Sequence, residues 1–246
     1  MIDLWTYWEG PKPLWVDVCL HSIQSNCTNG LRYHHVTPHN IRDFLPPQYF
    51  IPGLDKLKEP AHRADYFRSA LLAHHGGFYF DADTIGIKSP AHLASNHDLV
   101  YCKWNNPPER VLNGYIYAQP GSELAKQWNC EAGRVVRKHV LGAKTNWTSM
   151  GEGVLTRLVQ GNPSKTVRIP RSTFLPIDVD SRPQDLFSYT AQPDFIPEHS
   201  VCFGLNHSWM KHHHPDEMSM NVLEWRNCPC LFHRLLINTG EIRDGN

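Results

Sequence analysis

The stretch Phe78-Tyr79-Phe80-Asp81-Ala82-Asp83 decides how the rest of the chain is interpreted. An aromatic run in a buried region is typical of a core strand. Two carboxylates at positions i and i+2 directly after such a strand can point the same way once the strand gives way to a loop. There they can hold a hard divalent cation, either directly or through water. The stretch therefore indicates chemistry on a phosphate-bearing substrate.

The residues before this stretch predict a helix that leads into it. Apolar residues recur at helical spacing from about Pro60 to His75, and Gly76 suits the position just after a helix. Asp65 and Arg68 share one face of this helix because they are three residues apart. The pair is either a solvated surface contact or the border of the same cleft. In a cleft, Arg68 would bind phosphate or sugar hydroxyls and Asp65 would bind a sugar.

Strand and helix alternate along the first part of the chain. Strands are predicted at 2–8 and 31–36, and helices at 14–25 and from Pro38 onward. This β-α-β-α order is the pattern of a parallel sheet covered by helices. The order therefore predicts an α/β fold.

The second half of the chain is less regular. The predicted strands are 98–102, 115–118 and 201–205, and the predicted helices are 122–139, 152–160 and 219–237. The proline-rich region 162–200 is predicted to be irregular. No internal repeat or low-complexity linker interrupts the chain, so residues 1–246 are predicted to form a single domain.

Charge and cysteine content limit the classes of partner and compartment. The 246 residues include 24 basic and 24 acidic side chains, so no global field favours nucleic acid or an anionic membrane as a partner. The N-terminal segment Met1-Ile2-Asp3-Leu4-Trp5 lacks the basic region that opens a secretory signal. The seven cysteines are scattered without a CxxC pair, which is typical of reduced thiols. We therefore expect a cytoplasmic protein.

The run from Arg63 to Asp83 resembles the signature of DXD-containing glycosyltransferases. That signature is a basic residue, then Ser/Ala-Asp-x-x-Arg, an apolar helix, Gly-Gly, an aromatic strand and Asp-x-Asp. Every element is present in order, including Asp65, Arg68 and Gly76-Gly77. The run is similar to capsular polysaccharide synthesis proteins and to glycosyltransferase family 32, which is mannosyltransferase-like and related to the clostridial glucosylating toxins.

The segment Trp5-Thr6-Tyr7-Trp8-Glu9-Gly10 resembles the first strand of the same enzymes. In those enzymes an aromatic residue at the strand end stacks on the nucleotide base, and by resemblance that role falls to Trp8. Both tryptophans would also suit the core, Trp5 better than Trp8. The choice between base stacking and core packing stays open for Trp8.

Three further segments fit the resemblance. Leu205-Asn206-His207-Ser208-Trp209 is similar to the late loop that closes over the nucleotide sugar. By this resemblance His207 is a third metal ligand, and Ser208 and Trp209 contact the diphosphate. A partly exposed loop histidine is the alternative for His207. Asn113-Gly114 and residues 151–156 stand where these families carry segments that line the acceptor side.

The resemblance implies a single GT-A-type (Rossmann-like) nucleotide-sugar-binding domain with a mixed, mainly parallel central sheet flanked by helices. Residues 1–100 would bind the nucleotide sugar, and residues 101–246 would form the acceptor side with the closing C-terminal loop and helix. The implied activity is transfer of a hexose or pentose, with retention of configuration. The donor would be a UDP- or GDP-sugar, and the acceptor a glycan or another hydroxyl in polysaccharide or capsule synthesis.

The resemblance also assigns roles to the acidic residues. Asp83 would contact Mn²⁺ or Mg²⁺ directly, and Asp81 would do so directly or through water while also contacting the ribose or donor sugar. Asp65 and Arg68 would orient the donor sugar. Front-face attack on the anomeric carbon would need no dedicated catalytic base.

Two other functions compete with a transferase, and one association stays open. The first is a non-catalytic nucleotide-sugar or carbohydrate-binding module with a degenerate site, against which every element of the signature is present. The second is a metal-dependent phosphoesterase, which would normally need more His and Asp ligands near the first aspartates. Peripheral association with a membrane is the open point, since the resembled enzymes often work near membranes.

Overall fold

The computed structural model describes residues 1–105, 108–146, 148–176 and 196–205. They form two compact units, each assembled from separate stretches of the chain. The first unit comprises residues 1–10, 31–80 and 91–170, and the described part of the second comprises 11–30, 81–90, 171–176 and 196–205. The single-domain organisation with halves 1–100 and 101–246 stays a prediction.

A six-stranded sheet forms the centre of the first unit. Its spatial order is β2 (Leu31–Val36), β1 (Ile2–Tyr7), β3 (Gly77–Phe80), β6 (Val111–Ala118), β5 (Leu99–Lys103) and β7 (Thr166–Arg168). β1 is parallel to β2 and β3, and β5 is parallel to β7. β6 is antiparallel to both its neighbours, β3 and β5. The sheet is therefore mixed and mainly parallel, which confirms the predicted fold class.

Four helices accompany this sheet: α2 (Ile41–Phe44), α3 (Pro60–His74), α4 (Glu123–Val140) and α5 (Glu152–Gly161). The hydroxyl of Ser122 accepts a hydrogen bond from the backbone N–H of Ala125 and so caps the N-terminus of α4. Buried residues of α3 and α4 share one hydrophobic core with the sheet, including Leu71, Trp128 and Ile116.

A glycine pair joins α3 to β3. Gly76 has φ 75° and Gly77 has φ 93°, both in the left-handed region. A Cβ on Gly76 would lie 2.6 Å from the backbone nitrogen of Pro120, and one on Gly77 would lie 2.3 Å from the carbonyl oxygen of Asp3. Both the conformation and the close approach require glycine, so the predicted helix end is confirmed.

The second unit contains α1 (Leu14–Asn26), β4 (Thr84–Gly86) and β8 (Cys202–Gly204). β4 and β8 form an antiparallel pair. α1 lies against β4 at Gly86, where an added Cβ would be 2.8 Å from the Ile23 Cα atom. The backbone N–H of Gly86 donates to the Ser22 hydroxyl at 2.8 Å, and the Asn26 side-chain amide donates to the Gly86 carbonyl at 2.9 Å. Side chains of α1 thus hold β4 through its backbone.

The structure departs from the predicted elements at several places, of which three are described here. The predicted irregular region 162–200 contains β7, whose strand conformation comes from pairing with β5 rather than from a local pattern. β4 directly follows the aspartates and was not predicted. The short helix begins at Ile41 instead of Pro38, because the Thr37 N–H donates to the Asn40 side chain in a turn at 2.7 Å.

The helix predicted for 219–237 lies outside the described residues. None of the helices within them combines the length and the apolar composition that crossing a bilayer requires.

Candidate functional site

Asp81 and Asp83 occupy the short connection between β3 and β4. β3 ends at Phe80 and β4 begins at Thr84, so neither aspartate belongs to a strand. Both are partly buried, while Ala82 between them is 4% exposed. The strand therefore gives way to a loop at the first aspartate, as the sequence predicted.

Backbone pairing anchors this connection on its C-terminal side. The N–H of Leu205 donates to the Asp83 carbonyl at 2.9 Å. Thr84 and Ile85 are then paired with Gly204 and Phe203. Because these contacts use main-chain atoms, a change to the Asp83 side chain leaves the anchor in place.

Asp65 and Arg68 form a buried charged cluster in the first unit. Asp65 Oδ1 accepts a hydrogen bond from Asn113 Nδ2 at 2.7 Å and lies 3.3 Å from Arg68 Nη1. Only 14% of the Asp65 side chain and 6% of the Arg68 side chain are exposed. The Arg68 guanidinium carbon lies 4.4 Å from the centroid of the Tyr79 ring. A solvated surface pair, one of the two sequence-based alternatives, is therefore wrong.

Gly151 gives the Asn113 amide room to reach Asp65. A Cβ on Gly151 would lie 2.0 Å from Asn113 Nδ2 and 2.9 Å from Asp65 Oδ2. Asn113 is on β6, and Gly151 immediately precedes α5. The segments assigned by resemblance to the acceptor side thus supply both a hydrogen-bond partner and a close backbone contact to Asp65.

Trp5 and Trp8 have different environments. Trp5 is 1% exposed, and its indole N–H donates to the Gly76 carbonyl at 2.9 Å. Its ring stacks on the imidazoles of His34 and His75, with ring centroids 4.3 and 5.0 Å away, which makes it a core residue. Trp8 follows β1 and is only partly buried, and its backbone N–H donates to the Val36 carbonyl at 3.0 Å. The assignment of Trp8 to the nucleotide base stays a prediction.

Glu9 ties the segment after Trp8 to α3. Arg63 Nε donates to the two Glu9 carboxylate oxygens at 2.9 and 2.8 Å, and the Tyr7 hydroxyl donates to the same carboxylate at 3.1 Å. Burial and the adjacent Glu9 carboxylate raise the pKa of Tyr7, which keeps its hydroxyl a neutral donor. Arg63, the basic residue that opens the resembled signature, therefore binds the Glu9 carboxylate.

The two aspartates fit a divalent cation by their chemistry. Carboxylate oxygens are the ligands that Mg²⁺ and Mn²⁺ prefer, and Mg²⁺ is commonly bound by one or two carboxylates together with substrate phosphates. The described residues contain no group of three or more His, Cys, Asp or Glu side chains that could hold a metal ion. His207, Ser208 and Trp209 lie outside the described residues. Asp81 and Asp83 thus offer a partial ligand set of the expected type.

Sequence reasoning missed two contributors to the Asp65 cluster. It did not single out Tyr79, although Tyr79 stands in the aromatic run two residues before Asp81. It assigned Asn113 to the acceptor side without linking it to Asp65, 48 positions earlier in the chain. No spacing rule connects residues that are brought together by the packing of separate elements.

Comparison with known proteins confirms the class of this region. Residues 20–100 match the family described as "Glycosyltransferase sugar-binding region containing DXD motif", and this range includes both Asp65 and Asp83. The predicted resemblance to DXD-containing glycosyltransferases is confirmed. The narrower relation to family 32 stays a prediction. A comparison with curated proteins found no match.

Two solved structures share the fold. A glycosyltransferase involved in the glycosylation of the major capsid of PBCV-1 is 10% identical with a TM-score of 0.54, over 89% of this chain and 99% of that chain. The WbbM bifunctional glycosyltransferase is 10% identical with a TM-score of 0.50, over 99% of this chain and 50% of that chain. At this identity the likeness concerns the fold, which is of the GT-A type. Residues 20–100 thus match a DXD-containing sugar-binding region, and the fold is of the GT-A type.

Proposed function

We propose that this protein transfers a sugar from a nucleoside-diphosphate sugar to a hydroxyl group of a glycan. The observation that carries the proposal is the buried Asp65 carboxylate, oriented by Asn113 and Arg68, within the same matched region as Asp81 and Asp83. A carboxylate held in this way is suited to accept hydrogen bonds from sugar hydroxyls. The donor is a UDP- or GDP-activated hexose or pentose, and the biological setting is polysaccharide or capsule synthesis in the cytoplasm.

The transfer exchanges one bond at the anomeric carbon for another. The acceptor hydroxyl oxygen forms a bond to this carbon while the bond from the carbon to the β-phosphate oxygen breaks. The electron pair of the broken bond leaves with the nucleoside diphosphate, and the hydroxyl proton passes to a diphosphate oxygen. Attack from the same face retains configuration, and it needs no protein base.

Each proposed residue has a defined task in this reaction. Asp83 and Asp81 would hold Mn²⁺ or Mg²⁺, which would neutralise charge on the leaving diphosphate. Asp65 accepts hydrogen bonds from the donor sugar, and Arg68 fixes the Asp65 carboxylate in place. By the resemblance, Trp8 would stack on the base, His207 would be a third metal ligand, and Ser208 and Trp209 would contact the diphosphate.

Release of nucleotide products tests the proposal against its two competitors. The protein is incubated with Mn²⁺ and a panel of UDP- and GDP-sugars without acceptor. Slow, donor-selective release of nucleoside diphosphate is the expected result. Donor binding without release would instead identify a non-catalytic module, and release of nucleoside monophosphate would identify a phosphoesterase.

A thermal-shift measurement with the same panel identifies the donor. A donor that binds the folded protein raises the melting temperature by mass action. We expect one donor to give the largest shift and the fastest release. If the donor with the largest shift were not the donor that is hydrolysed, the identification of the donor would be wrong.

A further inference from the structure

The outer face of α4 ends in a row of exposed basic and apolar side chains. Buried residues such as Trp128 and Val136 pack the inner face of this helix into the core. The outer row has the spacing i, i+3, i+4 and i+7, which aligns side chains along one side of a helix. Its four members are all exposed: Arg134, Arg137, Lys138 and Leu141.

Backbone hydrogen bonds hold Leu141 in its exposed position at the end of α4. The Gly142 N–H donates to the His139 carbonyl at 2.9 Å. The Ala143 N–H donates to the Lys138 carbonyl at 3.0 Å. With Gly142 at φ 93°, these two bonds form a Schellman motif, an ordered turn that ends a helix. Leu141 is 87% exposed, so the fold holds a large apolar side chain in water.

A further cation lies beside this turn. Ala143 is bonded to the last turn of α4 as described above, and Thr145 Oγ1 lies 2.9 Å from Nδ1 of His139 in the same turn. Lys144 stands between these two anchored residues and is exposed. Lys144 therefore lies next to the last turn of α4. Together with the outer row it forms the α4 surface, which consists of Arg134, Arg137, Lys138, Leu141 and Lys144.

The α4 surface carries a net positive charge. Arg134 forms an ion pair with Glu131, whereas the ion pairs of the described residues include none that involves Arg137, Lys138 or Lys144. The neighbouring loop packs on α4 at Gly53, where an added Cβ would overlap Val140. This loop does not change the charge balance, since its exposed charged side chains are two acids and two bases: Asp55, Lys56, Lys58 and Glu59.

We propose that the α4 surface docks the protein on an anionic lipid bilayer. Leu141 enters the boundary between headgroups and acyl chains, while the flanking cations contact the negatively charged headgroups. Lysine and arginine suit this position because their flexible stems let the charged ends reach the headgroups beside a buried apolar group. The inference goes beyond the proposed transferase function and does not depend on it.

The composition of the surface favours a bilayer over a protein or a nucleic acid. A stable protein interface buries about 1,200–2,000 Å² around a centre depleted in charge. The α4 surface instead has charges next to a single strongly exposed apolar side chain. A nucleic acid would be attracted by the cations but would make no use of Leu141. Shallow insertion combined with charge attraction uses both features.

Co-sedimentation with vesicles tests the inference on the full-length chain. One set of vesicles is phosphatidylcholine alone, and the other contains about 30 mol% phosphatidylserine to give an anionic surface. Lys138→Glu reverses a charge within the α4 surface. Lys126→Glu is the matched control, since Lys126 is an exposed lysine of the same helix, about 18 Å away at 1.5 Å per residue. Leu141→Ser and Leu141→Met test the apolar contact.

We expect the wild-type protein to bind the anionic vesicles at about 0.1 M salt and to be released at about 1 M, where charges are screened within about 3 Å. Lys138→Glu should lower the partition coefficient about 30-fold, because the local charge falls by two. Lys126→Glu should change it by less than about twofold, since about 18 Å exceeds the screening length of about 10 Å. Leu141→Ser should lower it about tenfold, and Leu141→Met should retain binding.

Three outcomes overturn the inference. The first is a wild-type protein that does not sediment with the anionic vesicles, or sediments equally with phosphatidylcholine alone. The second is an equal loss of binding in Lys138→Glu and Lys126→Glu, which would reflect overall charge. The third is full binding by Leu141→Ser, which would leave a purely electrostatic surface of the kind that also attracts nucleic acid or an acidic protein.

Two further measurements keep these results interpretable. Thermal melts of all variants show whether each is folded, which we expect because the changed side chains are exposed. Donor hydrolysis without vesicles is measured on the same samples and tests the transferase function separately. A protein that binds anionic vesicles but hydrolyses no donor would overturn the transferase function and support the docking surface.

Discussion

Asp65 and Asp83 differ in the contacts that the structure describes for them. Asp65 depends on side chains, namely the Asn113 amide and the Arg68 guanidinium. The segment of Asp83 depends on the main chain, through the Leu205 N–H and the pairing of β4 with β8. The comparison shows that a change at Asn113 or Arg68 acts directly on the Asp65 carboxylate, whereas the described hydrogen bond of Asp83 lies in its backbone. Three of the following predictions each test one side of this difference, and the last concerns Trp8.

The largest expected effect follows from Asp83→Asn. Removing one carboxylate charge from the proposed cation ligands should lower donor hydrolysis and transfer by about 10³-fold. The hydrogen bond from the Leu205 N–H to the Asp83 carbonyl does not involve the side chain, so the variant should stay folded. Steady-state hydrolysis with added Mn²⁺ and a thermal melt provide the two measurements. Near wild-type transfer by this variant would disprove the metal-site assignment.

Gly151→Ala tests the side-chain-held carboxylate. The added methyl group would overlap Asn113 Nδ2 and displace it from Asp65. Loss of a hydrogen bond to a charged group corresponds to a decrease in kcat/KM of roughly 10- to 100-fold. Gly161→Ala is the matched control, because nothing lies within 4 Å of its added Cβ. Equal activities of the two variants would contradict the positioning of Asp65 by Asn113.

The difference between Asp65 and Asp83 could be predicted from the sequence only in part. Hydrophobic periodicity, helix caps and glycine turns are local properties of the sequence. They were sufficient to predict the first strands, α3 and the loop after Phe80. The Asn113–Asp65 hydrogen bond and the Gly151 contact depend on how three separate elements pack, which no local pattern encodes. The same holds for β7, whose pairing with β5 overrides a proline-rich sequence.

Gly86→Ala tests the backbone-held region. Its added Cβ would lie 2.8 Å from the Cys27 Sγ, the Ile23 Cα and the Ser22 carbonyl oxygen, so α1 and β4 would have to separate. Overpacking of this kind should lower the free energy of unfolding by about 1–3 kcal/mol. Urea unfolding measures this change. A variant as stable as the wild-type protein would show that α1 does not constrain β4.

Trp8→Ala has the smallest expected effect and touches neither carboxylate region. Loss of stacking on a base should weaken the affinity for free UDP or GDP about tenfold. Turnover at saturating donor should change less, since base stacking is the same in the ground and transition states. Calorimetric titration with the free nucleotide measures the affinity. Unchanged affinity would leave Trp8 as a structural residue.

The glycine pair before β3 has a consequence for how this chain tolerates mutation. Gly76 and Gly77 combine left-handed backbone with neighbours closer than 3 Å to any added Cβ. A saturation library across the two codons should therefore yield almost no folded members other than the parent. Selection experiments that diversify the chain for new donors would therefore gain nothing at these two positions.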